Sequence, residues 1–235
     1  MTEILYMPDI EANYIREWDA VVVAKGDDFV ELDRTAFYPE GGGQPTDTGW
    51  LEWAGGRARV KMVAKKGSYK HFIEGQLPEG KVHAVLDWDR RYDHMRMHTA
   101  QHIVSGVVYD AFGARTVGNQ LYHDRARVDF HPIKFTDEQL AAIEKQANEI
   151  IARQIDVRIT QEQRAELEKR VNEERCNLDL IPKSVSNLRV IEVAGFDVCP
   201  CAGTHVRNTR ELGKVHIQGC ESKGKDRCRL TYELV

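Results

Sequence analysis

The hydrophobic pattern changes period once, near residue 88, and that change limits the folds open to the chain. Before it, short runs of apolar and alternating residues are separated by turn signals. "AVVVAK" stops at "GDD", "FVELDR" follows, and "AFYP" runs into "EGGGQPTDTG". "WLEW" is cut by "AGG", "RARVKMVAKK" stops at "GS", "YKHFIEG" at "LPEG", and "KVHAVLDW" closes the series. Six or seven strands at this spacing predict a small β-barrel or sandwich. After Trp88 the period lengthens. Asp93 is placed to cap a helix running to about Phe112, with Gly113 as its stop. Thr136 and Gln139 form a capping box ahead of Leu140, Ile143, Ala147, Ile150 and Ile151 at helical spacing. Thr160 and Gln163 repeat that signature before a third, highly charged stretch. "NLRVIEVAG" reads as a strand, and "GKVHIQGC" and "RCRLTYEL" as a hairpin around "ESKGKDR". The predicted fold class is α+β. Residues 1–90 form a small β-barrel domain, and residues 91–235 form an α/β two-layer domain with a mainly antiparallel sheet.

Composition narrows the function. With 235 residues and 42% hydrophobic content, the chain is long enough for one large or two smaller cores. No apolar run approaches the ~20 residues of a membrane span. The start "MTEILYMPDIEANY" lacks a basic-then-apolar signal pattern, so a cytoplasmic protein is expected, with no membrane partner. Five cysteines in such a chain are expected to be free thiols or metal ligands rather than a disulfide framework. The net charge of −4 argues against a protein that coats nucleic acid. The charge is uneven, however. Residues 1–90 carry 11 Lys and Arg against 16 Asp and Glu, and residues 91–235 carry 22 against 21. From Val206 onward there are seven basic and four acidic residues, so a polyanion contact is expected on the C-terminal part.

Two pairs of metal-binding residue types stand out. In "MHTAQH", His98 and His102 are four apart. On a helical wheel they fall on the side opposite Ile103, Val104, Val107, Val108 and Ala111, with the small residues Ser105 and Gly106 and the ring of Tyr109 beside them. A helix that lines a cleft looks like this, and so do two surface histidines one turn apart. The stretch is close to the H-E-x-x-H of metalloproteases, but Thr99 stands where their general base would be. In "CPCAGTH", Cys201 and His205 are again four apart. The two pairs supply the four donors of a zinc tetrahedron, and imidazole with thiolate favours zinc over magnesium or calcium. Cys199 competes with Cys201 as the thiolate ligand. About a hundred residues separate the pairs, so only the fold can bring them together. A closed set of four protein ligands is usual for a structural zinc, whereas a catalytic zinc keeps one position open.

With "HTAQH", "CAGTHVRNTRELG", "TDEQLAAIEKQANEIIARQIDV" and "AFYPEGGGQPTDTG" in this order, the chain resembles the AlaX family along nearly its whole length. These are free-standing relatives of the alanyl-tRNA synthetase editing domain. The N-terminal barrel without a long C-terminal helical extension resembles the AlaX-M form. One departure is Ala202, where the synthetase motif has a glycine. The resemblance implies a trans-editing hydrolase that deacylates Ser-tRNA(Ala) at the 3′ adenosine, with Gly-tRNA(Ala) as a second candidate substrate. It implies one zinc per chain on His98, His102, Cys201 and His205. It also implies that the loop of Gly42, Gly43 and Gln44 approaches the editing site. Thr116, Asn119 and Gln120 in "TVGNQLYHD" lie where the family places its selecting residue, although a polar turn would read the same. Lys223, Lys225 and Arg227 are candidates for contact with tRNA phosphates, and backbone N–H groups near "CAGT" for the oxyanion donors. The alternatives are a tRNA-binding module with a structural zinc, a metallohydrolase of small esters or peptides, and the same deacylase fold with another amino-acid specificity.

Overall fold

The computed structural model describes residues 2–171, 175, 178 and 181–235; Cys176 lies outside them. The first half folds through β1 (Glu3–Ile4), β2 (Glu17–Lys25), β3 (Phe29–Leu32), β4 (Arg34–Thr35), β5 (Gly49–Trp53), β6 (Gly56–Lys66), β7 (Ser68–Glu74) and β8 (Lys81–Leu86). Strands β2-β3-β7-β6-β5-β8 close a six-stranded barrel in which every neighbouring pair is antiparallel. Its interior holds the inward members of each alternation, among them Trp18, Leu32, Leu51, Val60, Ile73 and Ala84. Short β1 pairs in parallel with β4 outside this ladder.

One expected strand is not there. Residues 36–38 of "AFYP" are buried but join no ladder. The amides of Phe37 and Tyr38 are satisfied by side chains instead. Phe37 N–H donates to Thr35 Oγ1 at 3.2 Å and Tyr38 N–H to an Asp47 carboxylate oxygen at 2.6 Å.

Helix α1 (Trp88–Phe112) leaves the barrel directly from β8. It starts five residues before Asp93, because Asp87 takes the N-cap position. The Asp87 carboxylate is engaged by Arg59 and Thr48 and makes no cap bond of its own. The helix ends as expected: Gly113 takes a left-handed φ of 66° and donates its N–H to Tyr109 O at 2.8 Å. Next come β9 (Arg115–Leu121), β10 (Ala126–His131) and α2 (Asp137–Ala152). Thr136 and Gln139 form the expected capping box of α2, which buries Ile143, Ala147, Ile150 and Ile151. The chain continues through β11 (Val157–Gln163), α3 (Arg164–Arg170), β12 (Asn187–Val193), β13 (Asp197–Pro200), β14 (Val215–Ser222) and β15 (Cys228–Leu234). Thr160 does not cap a helix. It sits in β11 opposite Val190, so its backbone belongs to a ladder, and α3 begins only at Arg164.

The two sheets of this half, β14-β15-β10-β9 and β11-β12-β13, are antiparallel. Helices α1 and α2 cover the first, with Ile103, Val107, Ile143, Leu121, Phe130 and Leu230 in the shared core. The α+β class read from the sequence holds. Among the described residues no helix is long and apolar enough to cross a membrane.

Helix α1 is also tied back to the barrel. The Arg91 guanidinium, fully buried, bonds the Asp47 carboxylate, Ala36 O at 2.5 Å and Asn13 O at 3.1 Å. A buried charge with this many partners fixes one orientation of helix against barrel, because removing any partner would strand the others.

Candidate metal centre

His98 and His102 lie one turn apart on α1, and both are buried. Cys201 and His205 lie in the segment that follows β13. The fold brings these four together, with one donor atom from each lying within 4.8 Å of all the others. Cys201 Sγ is 3.5 Å from His98 Nε2 and 3.5 Å from His205 Nε2. With zinc–nitrogen and zinc–sulfur bonds of about 2.0 and about 2.3 Å, a tetrahedral edge spans about 3.5 Å, so the donor spacing suits one four-coordinate ion.

Each imidazole is oriented by a bond on its other nitrogen. His98 Nδ1 donates to Gln44 Oε1 at 2.9 Å. That oxygen also accepts the Thr204 N–H at 3.0 Å, which fixes it as an acceptor. His102 Nδ1 donates to Asp197 Oδ2 at 2.9 Å. His205 Nδ1 donates to Thr99 Oγ1 at 3.1 Å, whose own proton goes to Met95 O. Nδ1 of each ring therefore keeps its proton, and all three Nε2 atoms face Cys201 or the space beside it, where a bound cation would displace any proton they carry. Burial alone would raise the Cys201 thiol, but the surrounding imidazoles, His98 first, outweigh it and hold the thiol well below its ordinary value. Burial opposes charge on His102 too; its bonds to Asp197 and Cys201 prevail and push it up to about 10. Burial holds His205 well below its ordinary value. The cluster thus favours a thiolate, the form that binds a soft cation.

Cys199 stands outside the cluster. It is part of β13 opposite Ile191, with its Sγ 3.7 Å from Pro200 O. The Cys201 segment is held from behind by Arg189, whose Nη1 donates to Cys201 O at 2.6 Å and to Gly203 O at 2.8 Å. Gly203 is a fixed requirement, since a Cβ there would lie 2.1 Å from His98 Cε1.

A cavity of about 340 Å³ opens beside His98, His102 and Cys201. Ser105, Gly106 and Tyr109 from α1 line it, as the helical wheel suggested, and Thr116 and Asn119 line it from β9. These last two are three apart, a spacing that would put them on opposite faces of a regular strand. A bulge resolves this: Asp129 pairs with Gly118 and Phe130 with Thr116, leaving Val117 extra and returning Thr116 to the face of Asn119. Thr116 Oγ1 and Gln101 Nε2 both donate to Ser105 Oγ, at 2.8 and 2.7 Å. Gln120 does not line the cavity; its amide donates to Gly43 O at 3.2 Å. "TVGNQL" is therefore strand rather than turn.

The glycine loop reaches the same place. Gly42 and Gly43 have φ of 59° and 81° in a tight turn closed between Gly41 and Gln44. Gly42 lines the cavity, and a Cβ on Gly43 would lie 1.5 Å from Asn119 Oδ1. Gln44 is fully buried behind His98, away from the cavity surface. The "CAGT" amides are mostly spent: Gly203 N–H on Cys201 Sγ, Thr204 N–H on Gln44 and His205 N–H on Asn13 Oδ1. Among the described residues only the Ala202 N–H of this segment lacks a protein acceptor, and Ala202 lines the cavity. Lys223, Lys225 and Arg227 are exposed on the β14–β15 hairpin, with Lys223 paired to Glu221 at 2.7 Å.

Sequence reasoning missed Asp197, Thr99 and Arg189. Arg175 escaped it too: its guanidinium packs over Gly106 and bonds Asp197 Oδ1 at 3.2 Å and Asp110 Oδ1 at 2.8 Å. Only Thr99 carried a local signal, as the hydroxyl between the two histidines.

Comparison with known proteins agrees with this geometry. The family described as the threonyl and alanyl tRNA synthetase second additional domain matches residues 188–231, and that of class II (A) tRNA synthetases matches residues 10–90. The chain is 41% identical to the alanyl-tRNA editing protein AlaX-M of Methanosarcina barkeri, over 100% of both chains. It is 37% identical to the AlaX-M of Saccharolobus solfataricus, over 100% of this chain and 99% of that one. It is 34% identical to the alanine–tRNA ligase of Thermoplasma acidophilum, over 98% of this chain but 26% of the ligase. Full-length identity at this level, on a chain that assembles the two histidine-bearing motifs around one cavity, places the protein in the AlaX-M family of alanyl-tRNA editing proteins.

Proposed function

We propose that the chain hydrolyses the ester that joins serine, and also glycine, to the 3′-terminal adenosine of tRNA(Ala), acting in trans. As an alanyl-tRNA editing protein it is an aminoacyl-tRNA deacylase, a carboxylic ester hydrolase whose partner is tRNA. Such an enzyme answers a limit of binding. A site shaped for alanine discriminates only about a hundredfold against a side chain that adds a hydroxyl, and it cannot exclude a smaller one. A second, hydrolytic site must therefore prefer what the first site admits wrongly.

The observation that carries the reading is that three of the four donors, His98, His102 and Cys201, lie on the wall of a cavity whose neutral polar lining includes Ser105, Thr116 and Asn119. These hydroxyls and this amide suit a bond to serine's hydroxyl. Alanine offers none of these groups a partner, so it gains nothing from them, whereas a net hydrogen bond to serine's hydroxyl is worth about 1 kcal/mol. The donor set of three imidazoles and one thiolate suits one zinc ion per chain, on His98, His102, Cys201 and His205. Bound there, zinc supplies a fixed positive charge at the cavity wall, and with four protein donors it organises the pocket.

The chain's own groups do the rest. Gly42 and Gly43 let the backbone approach the substrate, while Gln120 holds Gly43 and Gln44 holds His98. Water adds to the acyl carbon, the Ala202 N–H donates to the developing oxyanion, and the ribose 3′ oxygen leaves as a hydroxyl. Aminoacyl esters are labile, so positioning and this donor suffice without a Ser-His-Asp set. In this reading residues 91–235 form the editing domain and residues 1–90 contribute the glycine loop. Lys223, Lys225 and Arg227 meet acceptor-end phosphates, and the protein works in the cytoplasm, where charged tRNA is found.

Deacylation of Ser-, Gly- and Ala-tRNA(Ala), with and without a chelator, tests the proposal. Release from Ser-tRNA(Ala) that spares Ala-tRNA(Ala) is expected. Equal rates on all three, or none, would reject it. The closed ligand set keeps a second reading in view, a tRNA-binding module with a structural zinc, which predicts tRNA binding without hydrolysis.

A further inference from the structure

A second cleft, of about 500 Å³, lies where the lead-in to β2, the start of α1 and residues 207–211 meet. It shares no lining residue with the metal-centre cavity. Its walls are aromatic rings and guanidinium groups. Trp88 and Tyr92 stack with ring centres 5.5 Å apart, and Tyr14 leans on Trp88 at 5.7 Å. The Arg16 guanidinium lies 4.2 Å over the Trp88 ring, and that of Arg207 lies 3.8 Å over Tyr14.

Two of the three guanidinium groups in this cleft have no carboxylate partner among the described residues. Glu211 is engaged by neutral donors, the hydroxyls of Tyr14 at 2.7 Å and Tyr92 at 2.9 Å. Arg207 pairs with Glu11 at 3.2 Å. Arg16 and Arg210 are exposed and have no carboxylate partner among the described residues. A guanidinium held over a ring is pre-organised, and N–H groups that have no carboxylate partner stay open to a ligand. Planar stacking faces beside unpaired cations suit a nucleotide strand, whose bases stack on aromatic or guanidinium planes and whose phosphates take the N–H donors. The cleft also adjoins the metal centre through the backbone. Tyr14 OH accepts the Arg207 N–H at 3.0 Å, and Asn13 Oδ1 accepts the His205 N–H at 2.7 Å, so one segment carries both a cleft wall and a metal-centre histidine.

We infer that this cleft is an RNA-docking surface, with a base against the Arg16–Trp88 pair and phosphates on Arg16 and Arg210. The inference rests on the reading that the substrate is an aminoacyl-tRNA, and it names a surface separate from the β14–β15 hairpin. The test is binding of uncharged tRNA(Ala) to the full chain by fluorescence anisotropy at several salt concentrations. Arg16→Glu/Arg210→Glu is expected to weaken binding tenfold or more and to make the log–log salt dependence shallower by about two contacts' worth. Its melting temperature and metal content should match the wild type, and KM for charged tRNA should rise with the loss of affinity. If charge reversal perturbs folding, Arg16→Gln/Arg210→Gln serves, with a loss of threefold or more expected. Undiminished affinity in the double variants would overturn the inference, as would a loss confined to Lys223→Glu/Lys225→Glu. A wild-type chain that binds tRNA through these arginines yet deacylates nothing would sink the hydrolytic reading and leave the docking surface standing.

Discussion

At the scale of single residues, the candidate metal centre depends on groups other than its four donors. Gln44, Asp197 and Thr99 each hold the Nδ1 proton of one histidine and so aim its Nε2 inward. Gly203 leaves room for the His98 ring. Gly203→Ala should therefore push His98 aside and lower metal affinity about 10–100-fold, in the range seen when ligand orientation is lost. Competition against a chromogenic chelator measures this, and unchanged affinity would mean that the loop yields without cost. The donors themselves were legible as two i,i+4 pairs, because their residue types carry the chemistry. The groups that orient them were not. Gln44 is 54 residues from His98 and Asp197 is 95 from His102, and no local pattern links an acceptor to a donor at that separation.

Elements behave as their periodicity dictates except where backbone groups find other partners. The capping box at Thr136 was readable because both of its bonds are local. The same signature at Thr160 misled, because the ladder with β12 claims that backbone. Residues 36–38 look like a strand by composition but take their bonds from Thr35 and Asp47 side chains. The bulge at Val117 has no sequence signal, yet it decides that both Thr116 and Asn119 face the cavity. Within the barrel, His71 on β7 is buried between Thr35 Oγ1 at 2.8 Å and Val30 O at 3.2 Å. Burial pushes it down from 6.5 to about 4, with the Val30 bond opposing. The folded state therefore resists a proton that the unfolded chain accepts. Stability is full above about pH 6.5 and falls by roughly 3 kcal/mol as pH drops through about 4. Denaturant midpoints across this range should show the decline, and His71→Gln should flatten it; an equal decline in that variant would assign it to other groups.

For the whole molecule, barrel and α+β half act as one device at the glycine loop. Gln44 comes from the barrel's long β4–β5 connection, yet it bonds both His98 and Thr204. Arg91 and Asp47 lock the same connection against α1. Gln44→Ala should leave the barrel folded, strand the His98 and Thr204 donors, and lower metal affinity about tenfold or more. If affinity holds, the barrel contributes shape alone. The architecture was largely legible from the change of period at residue 88; the cross-connections were not, because they join groups that only the finished fold makes neighbours. His98, His102, Cys201 and His205 are placed to hold one ion, which in the proposed function organises the pocket. Metal analysis of the purified chain beside its Cys201→Ala and Cys199→Ala variants tests it most directly. One zinc per chain in the wild type and in Cys199→Ala, with a severe loss in Cys201→Ala, is the predicted result. A wild-type chain that takes up no metal, or a Cys201→Ala variant that keeps its full complement, would contradict it.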